Sequence, residues 1–313
     1  MANYLVTGGA GFIGSNLVRH LVQQNEDVRV VDDLSTGKKK NIIPYLDRVD
    51  FMEATLVDAK VCREAVRDMD YILHQAAIPS VPRSVNDPVR SNEANVTATV
   101  NLLTAAKDAG IKRFVYAASS SAYGDVEVSP KHEGLKPRPK SPYAVTKLAG
   151  EHYCRAFYEC FGLETVALRY FNVFGPNQDP ASQYSAVIPK FVTCIMNDEP
   201  PPVNGDGTQS RDFTYVDNNV KANILACTAP EAAGEMMNIA CGGSVTLLQL
   251  IDYINEILGR EIKPVFRAPR PGDVMHSMAA IQKAQQLLGY EPEISFREGL
   301  EKTIEWYKEN PVE

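Results

Sequence analysis

What is scarce in this chain of 313 residues narrows its class before any motif does. The six cysteines, Cys62, Cys154, Cys160, Cys194, Cys227 and Cys241, form no Cys-x-x-Cys pair and no zinc-spaced cluster with the five histidines. That pattern excludes a disulfide framework and a zinc module, so no metal site is expected and the thiols read as small hydrophobes in a reducing compartment. No apolar run is long enough to span a bilayer. The N-terminus lacks a basic-then-apolar leader pattern, and a cytoplasmic location is therefore expected. Positive charge is in deficit, with 32 Lys and Arg against 39 Asp and Glu and a net charge of −7. General nucleic-acid and membrane-surface binders need clustered positive charge. The one basic run, Lys38-Lys39-Lys40, follows the turn-like Ser35-Thr36-Gly37 and reads as a solvated loop.

What is present is a regular alternation. A hydrophobic fraction of 44% suffices for a sizeable core. Short β-branched runs at residues 4–6, 28–31, 71–73, 113–116 and 165–168 read as strands, and helical stretches at 12–24, 92–109 and 141–161 fall between them. This spacing predicts βαβ units and an α/β fold with a Rossmann-like, doubly wound parallel sheet. After about Phe171 the character changes: 177–184 is loop-like and 197–210 is rich in Pro, Gly and Asp. Helical periodicity returns at 216–227, 247–258 and 296–308. The expected division is a nucleotide-binding domain over 1–171, rejoined by segments near 216–240, and a smaller substrate-binding lobe over most of 172–313.

Two motifs carry chemistry. The first, Thr7-Gly-Gly-Ala-Gly-Phe-Ile-Gly14, lies between a predicted strand and a predicted helix. Gly8 permits the sharp turn, Gly11 lets backbone approach a pyrophosphate, and Gly14 allows close helix–strand packing. The helix N-terminus then offers N–H groups to phosphate. Asp32 ends the next strand, where a carboxylate accepts hydrogen bonds from ribose hydroxyls and repels a 2′-phosphate. NAD is therefore favoured over its phosphorylated form, with the nearby lysines as the one contrary feature.

The second motif is Tyr143-Ala-Val-Thr-Lys147, preceded by Ser119-Ser120-Ser121 at a strand end. Residues four apart share a helix face, so Lys147 can reach toward Tyr143. An ammonium and an oxidised nicotinamide both favour the phenolate, which lets a tyrosine act as base near neutral pH. A neighbouring serine hydroxyl can hold the reacting oxygen.

Together with His74-Gln75-Ala76-Ala77, Ser119–Gly124 and Arg169-Tyr-Phe-Asn-Val-Phe-Gly175, these motifs resemble the extended short-chain dehydrogenase/reductase superfamily over essentially the whole chain. Within it the chain is most similar to UDP-hexose 4-epimerases, especially the UDP-N-acetylglucosamine branch. That narrower likeness is carried by Ser80-Val-Pro-Arg-Ser84, Asn172, Ala186-Val-Ile-Pro-Lys190, Gly205-Asp-Gly207 and Arg211-Asp-Phe213, while Arg270-Pro-Gly-Asp273 resembles nucleotide-sugar members of the superfamily at large.

The resemblance implies catalysis by Ser119, Tyr143 and Lys147, with the serine register open by one position. It implies NAD, tightly bound and recycled, held by Gly8, Gly11, Phe12, Ile13, Gly14, Asp32, Thr55, Leu56, Gln75, Ala76, Ala77, Asn95, Tyr143, Lys147 and Phe171. The family usually has Gly-Asp-hydrophobe where this chain has Ala54-Thr55-Leu56, so Thr55 replaces the adenine-contacting carboxylate. A UDP-sugar would be held by Ser80, Ser119, Ser120, Tyr143, Asn172, Val187, Asn204, Arg211, Arg270, Asp273 and Ser277. Arg211 and Arg270 suit the diphosphate, although Arg211 beside Asp212 also fits a structural ion pair. Where relatives that exclude N-acetyl sugars resemble a tyrosine gate, Ser277 leaves room for an acetamido group. The function implied is 4-epimerisation of UDP-glucose and UDP-galactose or of their N-acetyl counterparts through a 4-keto sugar. UDP-glucuronate 4-epimerisation, 4,6-dehydration and a non-catalytic NAD sensor stand as alternatives. A homodimer is expected, packed through helices near 89–109 and 141–161, and no nucleic-acid or membrane partner.

Overall fold

The structure, a computed structural model, describes residues 1–179, 186–269 and 275–311. Seven strands form one parallel sheet: β1 (Asn3–Thr7), β2 (Asp27–Asp32), β3 (Val49–Glu53), β4 (Tyr71–His74), β5 (Arg113–Ser119), β6 (Thr165–Tyr170) and β7 (Met236–Ile239). They lie in the order β7-β6-β5-β4-β1-β2-β3. The chain runs outward from β1 to β3, crosses back to β4, and then runs outward the other way. That reversal opens a crevice at the carboxyl ends of β1 and β4.

Parallel neighbours require crossovers, and helices supply them. Those used below are α1 (Phe12–Gln23), α2 (Ala59–Ala65), α3 (Ala98–Ala109), α4 (Pro142–Phe161), α5 (Val187–Met196), α6 (Val216–Thr228), α7 (Leu247–Leu258) and α8 (Phe296–Glu309). Successive side chains of a strand face opposite ways. Tyr4 and Val6 of β1 therefore join Leu17, Val18 and Leu21 of α1 and Val220 of α6 in one core. Leu5 joins Leu102 and Ala106 of α3 and Phe157 of α4 in the other. Each such aliphatic side chain contributes about 1.5–3 kcal/mol on burial. A register slip of one residue would exchange the two faces, so the hydrophobic pattern fixes where β1 ends and hence where the crevice opens.

A further core of Phe174, Ile188, Phe191, Phe213, Tyr215, Leu250, Ile251 and Ile304 gathers α5, α7 and α8. Very short strand pairs stitch it: Val173–Phe174 with Thr214–Tyr215, Pro202–Asn204 with Val265–Arg267, and Ser210–Arg211 between Val245–Thr246 and His276–Ser277. Among the described residues no helix is long and apolar enough to cross a membrane.

Two elements differ from expectation. The helix anticipated over 92–109 is interrupted by a π-helical turn, Glu93–Thr97, before α3 begins. Tertiary hydrogen bonds of Asn95 hold this wider turn: its Oδ1 accepts the Ile78 N–H at 2.7 Å, and its Nδ2 donates to Thr146 Oγ1 at 3.0 Å. Strand β3 was not anticipated, because an edge strand of mixed exposure shows no apolar run. The segment 216–240 returns to the sheet as α6 followed by β7.

Candidate active site

The crevice at the strand-order reversal encloses about 1040 Å³, its open mouth included, and is lined by Gly8, Gly11, Phe12, Ile13, Gly14, Asp32, Thr55, Leu56, Gln75, Ala76, Ala77, Tyr143 and Lys147 among others. Gly8 leaves β1 with a φ of 67°, a conformation that favours glycine. Its N–H donates to the Val31 carbonyl at 2.8 Å, and its own carbonyl accepts the Gly11 N–H at 3.0 Å. A Cβ on Gly14 would lie 2.1 Å from that Gly8 oxygen, so only glycine lets α1 start this close to the turn. Gly11 caps α1 without a side-chain hydrogen bond, which leaves the first-turn N–H groups to the crevice.

Asp32, the buried last residue of β2, accepts the Ala10 N–H at 2.9 Å through Oδ2 and the Leu34 N–H at 2.8 Å through Oδ1. Burial pushes its carboxyl up from the usual range, and the two backbone donors oppose that shift. Each oxygen retains a further lone pair for a hydroxyl donor. The nearby lysines are engaged elsewhere: Lys38 pairs with Asp179 at 2.7 Å and Lys39 with Glu53 at 3.5 Å. A tight glycine cradle, a free helix N-terminus and a buried ribose-type acceptor together fit NAD. Thr55 and Leu56 lie on the same wall, where the Thr55 hydroxyl accepts the Val57 N–H at 3.4 Å.

Behind this wall stands a residue that sequence reasoning carried only as part of a motif. His74 Nδ1 lies 2.7 Å from Thr7 Oγ1, and its Nε2 lies 2.9 Å from Thr99 Oγ1. The Thr99 hydroxyl already donates to the Asn95 carbonyl at 2.7 Å. It must therefore accept from Nε2–H, which leaves Nδ1 to accept from Thr7. Burial, assisted by the Lys147 charge, drives the His74 pKa down to about 3, so the ring is neutral. Thr7 Oγ1 in turn accepts the Ala76 N–H at 3.3 Å and fixes the backbone where Ala76 lines the crevice.

Two residues expected at the cofactor do not line the crevice with their side chains. Asn95 is 1% exposed and holds Ile78 in place, while its neighbours Ala94 and Ala98 line the crevice. Phe171 is fully buried against Tyr123, and Tyr170 takes the crevice position. The cause is alternation: with Tyr170 facing the crevice, the next side chain points away. The Tyr170 hydroxyl is bound by Asn223 Nδ2 at 2.7 Å and by Gln75 Nε2 at 3.2 Å.

The structure brings the three catalytic candidates together. Ser141 caps α4 by accepting the Ala144 N–H at 3.1 Å, with Pro142 in the first turn. The Tyr143 N–H donates to Ser84 Oγ at 3.0 Å. Ser119, at the end of β5, accepts both the Ser121 N–H at 3.2 Å and the Ser121 O–H at 2.9 Å, and its hydroxyl stands near enough to the Tyr143 phenol to favour the phenolate. Of the three serines, then, Ser119 meets the phenol, Ser121 supports it, and Ser120 opens the 3-10 turn between them.

Lys147, 4% exposed, donates through Nζ to the Ala117 carbonyl at 2.8 Å and lies 5.2 Å from the Tyr116 ring centre. Burial lowers its pKa to about 8, and the Glu151 charge resists that fall. Burial raises the Tyr143 phenol, and the nearby Ser119 hydroxyl only partly opposes that shift. The expected lowering by Lys147 is not seen here, because the β5 carbonyl engages the ammonium and desolvation of the phenol prevails.

The sugar-side candidates form a second hydrogen-bonded group. Asn172, at a φ of 34°, donates through Nδ2 to the Asp212 carbonyl at 3.1 Å, and the Asp212 N–H donates to the Ser277 carbonyl at 2.7 Å. Ser277 is the ladder partner of Arg211, whose Nη1 donates to the Ser210 and Met275 carbonyls. The Asp212 carboxyl, pushed up to about 6 by burial, is bound by the N–H groups of Cys241, Gly242 and Ala279 and so acts as a backbone staple. Val187 opens α5, and Asn204 ends a short strand with its carbonyl accepting Gln209 Nε2 at 2.6 Å. Ser80 caps the helix Val81–Asn86, accepting the Arg83 N–H at 3.2 Å. Arg270 and Asp273 lie outside the described residues.

Comparison with known proteins agrees with this geometry. The profile of the NAD dependent epimerase/dehydratase family matches residues 4–240. The UDP-glucose 4-epimerase of Mycolicibacterium smegmatis is 34% identical over 308 residues, covering 97% of this chain and 98% of its own length. Among solved structures, the UDP-N-acetylglucosamine 4-epimerase of Methanobrevibacter ruminantium, in complex with UDP-N-acetylmuramic acid, superposes with a TM-score of 0.94 at 40% identity, covering 99% of both chains. The UDP-glucuronic acid 4-epimerase of Bacillus cereus, in complex with UDP-glucuronic acid and NAD, gives 0.90 at 33% identity over 98% of this chain and 99% of its own. The chain belongs to the NAD dependent epimerase/dehydratase family, and NAD is the cofactor its crevice is built for.

Proposed function

We propose that the protein is a 4-epimerase of UDP-hexoses, interconverting UDP-glucose and UDP-galactose, their N-acetyl counterparts, or both. The observation that carries this reading is Tyr143 and Lys147 on the wall of the NAD crevice, with Ser119 ending the strand whose Ala117 and Ala118 line it. NAD, when bound, supplies a hydride acceptor that later becomes the donor. The phenol of Tyr143 takes the proton of the sugar 4-hydroxyl and afterwards returns it, while Ser119 holds that oxygen. Lys147 and the charge of the oxidised cofactor offset the burial that otherwise keeps the phenol protonated. With Lys147 at about 8, interconversion falls as pH rises past that value.

Dehydration of the same sugars needs an acid beside the catalytic hydroxyl, whereas here Ser121 occupies that place and donates to Ser119. Asn172, Val187, Asn204 and Arg211, joined by Arg270 and Asp273, would hold the nucleotide-sugar, and Ser277 would leave room for an acetamido group. The likeness to a UDP-glucuronate enzyme makes that sugar the third candidate. We assign residues 1–171 and the returning segment near 216–240 to NAD, and the rest mainly to the sugar. A cytoplasmic homodimer fits the exposed Val85, Val89, Val145 and Tyr153 on the helices around and including α4; a monomer mass in light scattering overturns the dimer.

The deciding experiment incubates the enzyme separately with UDP-glucose, UDP-N-acetylglucosamine and UDP-glucuronate and separates the products. Formation of the 4-epimer with no net NADH absorbance is the expected result. Loss of water from the sugar, or stoichiometric NADH, removes the assignment.

A further inference from the structure

Beneath Tyr143 and Lys147 lies a buried ion pair that the reaction above does not call on. Glu151 stands one helical turn beyond Lys147 on α4. Arg169 of β6 grips it with two parallel N–H groups, Nε to Oε1 at 2.9 Å and Nη2 to Oε2 at 2.7 Å. The two side chains are only 2% and 6% exposed. The guanidinium lies 4.6 Å from the centre of the Tyr123 ring, and the Tyr123 hydroxyl donates to Asn238 Oδ1 at 2.7 Å.

Taking two charges out of water carries a desolvation cost that their attraction does not reliably exceed, so a buried pair is a weak way to stabilise a fold. Charge balance around Lys147 gives a better account. Its ammonium rests on a neutral carbonyl in a dry site. The titratable groups around it are His74 from β4, Tyr116 from β5, and Glu151 and Cys154 from α4, with Tyr143 one turn earlier on the same helix and Arg169 of β6 bound to Glu151. His74 is neutral, and burial keeps both tyrosines and the Cys154 thiol protonated. Glu151 is thus the one anion in this set.

We propose that Glu151 is a positioning residue: clamped by Arg169, its carboxylate keeps the Lys147 ammonium protonated inside the active site. The proposal rests on the role given to Lys147 above, so its test needs a readout that does not depend on turnover. Competitive acylation of lysines across a pH series, with mass-spectrometric quantitation of the Lys147 peptide, follows that amine directly. The pH profile of sugar interconversion follows its use. In Glu151→Gln the labelling midpoint and the alkaline limb of kcat are expected to fall together by about one pH unit. Glu151→Asp, which keeps the charge, leaves both near the wild-type values.

Should Glu151→Gln fail to fold with Arg169 left uncompensated, the double variant Glu151→Gln/Arg169→Met leaves no buried charge unpaired there and moves both readouts in the same direction. A folded variant whose turnover drops at every pH with an unmoved labelling midpoint overturns the proposal. A displaced midpoint without turnover on any sugar supports the charge coupling and removes the functional reading instead.

Discussion

The crevice wall made by β1, β2 and α1 is positioned by backbone and by one buried carboxylate, whereas the group joining Asn172, Asp212 and Ser277 is positioned by strands two residues long. In the first region a Cβ on Gly14 meets a carbonyl at 2.1 Å, and Asp32 is fixed by two N–H groups. In the second, Ser210–Arg211 is a narrow splint between two equally short neighbours, and its anchor is the Asp212 staple. The difference matches the task. A cofactor that stays put suits a wall with no slack, while the sugar recognition proposed above would sit on short connecting segments, which tolerate substitution.

Tyr143→Phe tests the proposed base on the crevice wall and carries the largest expected effect. Loss of the phenolic proton should lower kcat about 10³-fold, within the range of positioned acid–base catalysis, while the ring still packs and NAD affinity stays near wild type. Parallel turnover and NAD titrations check this, and retained interconversion would exclude Tyr143 as the base. Gly14→Val strikes the cofactor wall alone. Its new side chain meets backbone that cannot yield, so a stability loss of about 1–3 kcal/mol is expected together with weakened NAD binding. A melting curve with and without NAD reads both effects, and unchanged NAD affinity in a folded variant would mean that the wall is softer than its contacts indicate.

His74 sharpens the comparison through pH. Its folded pKa of about 3 lies below the ordinary 6.5. Its contribution to stability is therefore complete above pH 6.5 and is lost as pH falls toward 3, because the unfolded chain takes up a proton that the fold refuses. The slope is about 1.4 kcal/mol per pH unit. His74→Gln should be less stable than wild type at neutral pH, and the gap should narrow as denaturation is repeated between pH 6.5 and 4.5. A constant gap would show that the ring does not stay neutral behind the cofactor wall.

Legibility divides along a similar line. Gly8, Gly11, Gly14 and Asp32 were readable because their chemistry is local: a strand, a turn and a helix start lie within a few residues of one another. Tyr143 and Lys147 were readable by helical spacing, and Ser119 by its place at a strand end. What escaped was decided by partners distant in sequence. The π turn at Glu93–Thr97 answers to Ile78 and Thr146. The tautomer of His74 answers to Thr7 and Thr99. Tyr170 stands where Phe171 was expected because the orientation at the end of β6 depends on which face meets the crevice. Lys147 binds Ala117 because β5 ends beside it, which helical spacing alone does not contain.

Ser277→Tyr, the gentlest of these changes, is confined to the sugar side. Ser277 joins its neighbours through backbone: it pairs with Arg211 in the ladder, and its carbonyl accepts the Asp212 N–H at 2.7 Å. A larger side chain leaves those bonds in place and only fills the space beyond them. The preference for N-acetylated over plain UDP-hexoses, measured as the ratio of kcat/KM values, should therefore fall about tenfold, the scale on which pocket shape discriminates small apolar differences. NAD affinity and plain-hexose turnover should hold near wild type. If NAD affinity falls as well, the short strands transmit strain to the glycine wall. If the ratio does not move, Ser277 is not where an acetamido group is accommodated, and its place passes to the side chains around Asn172.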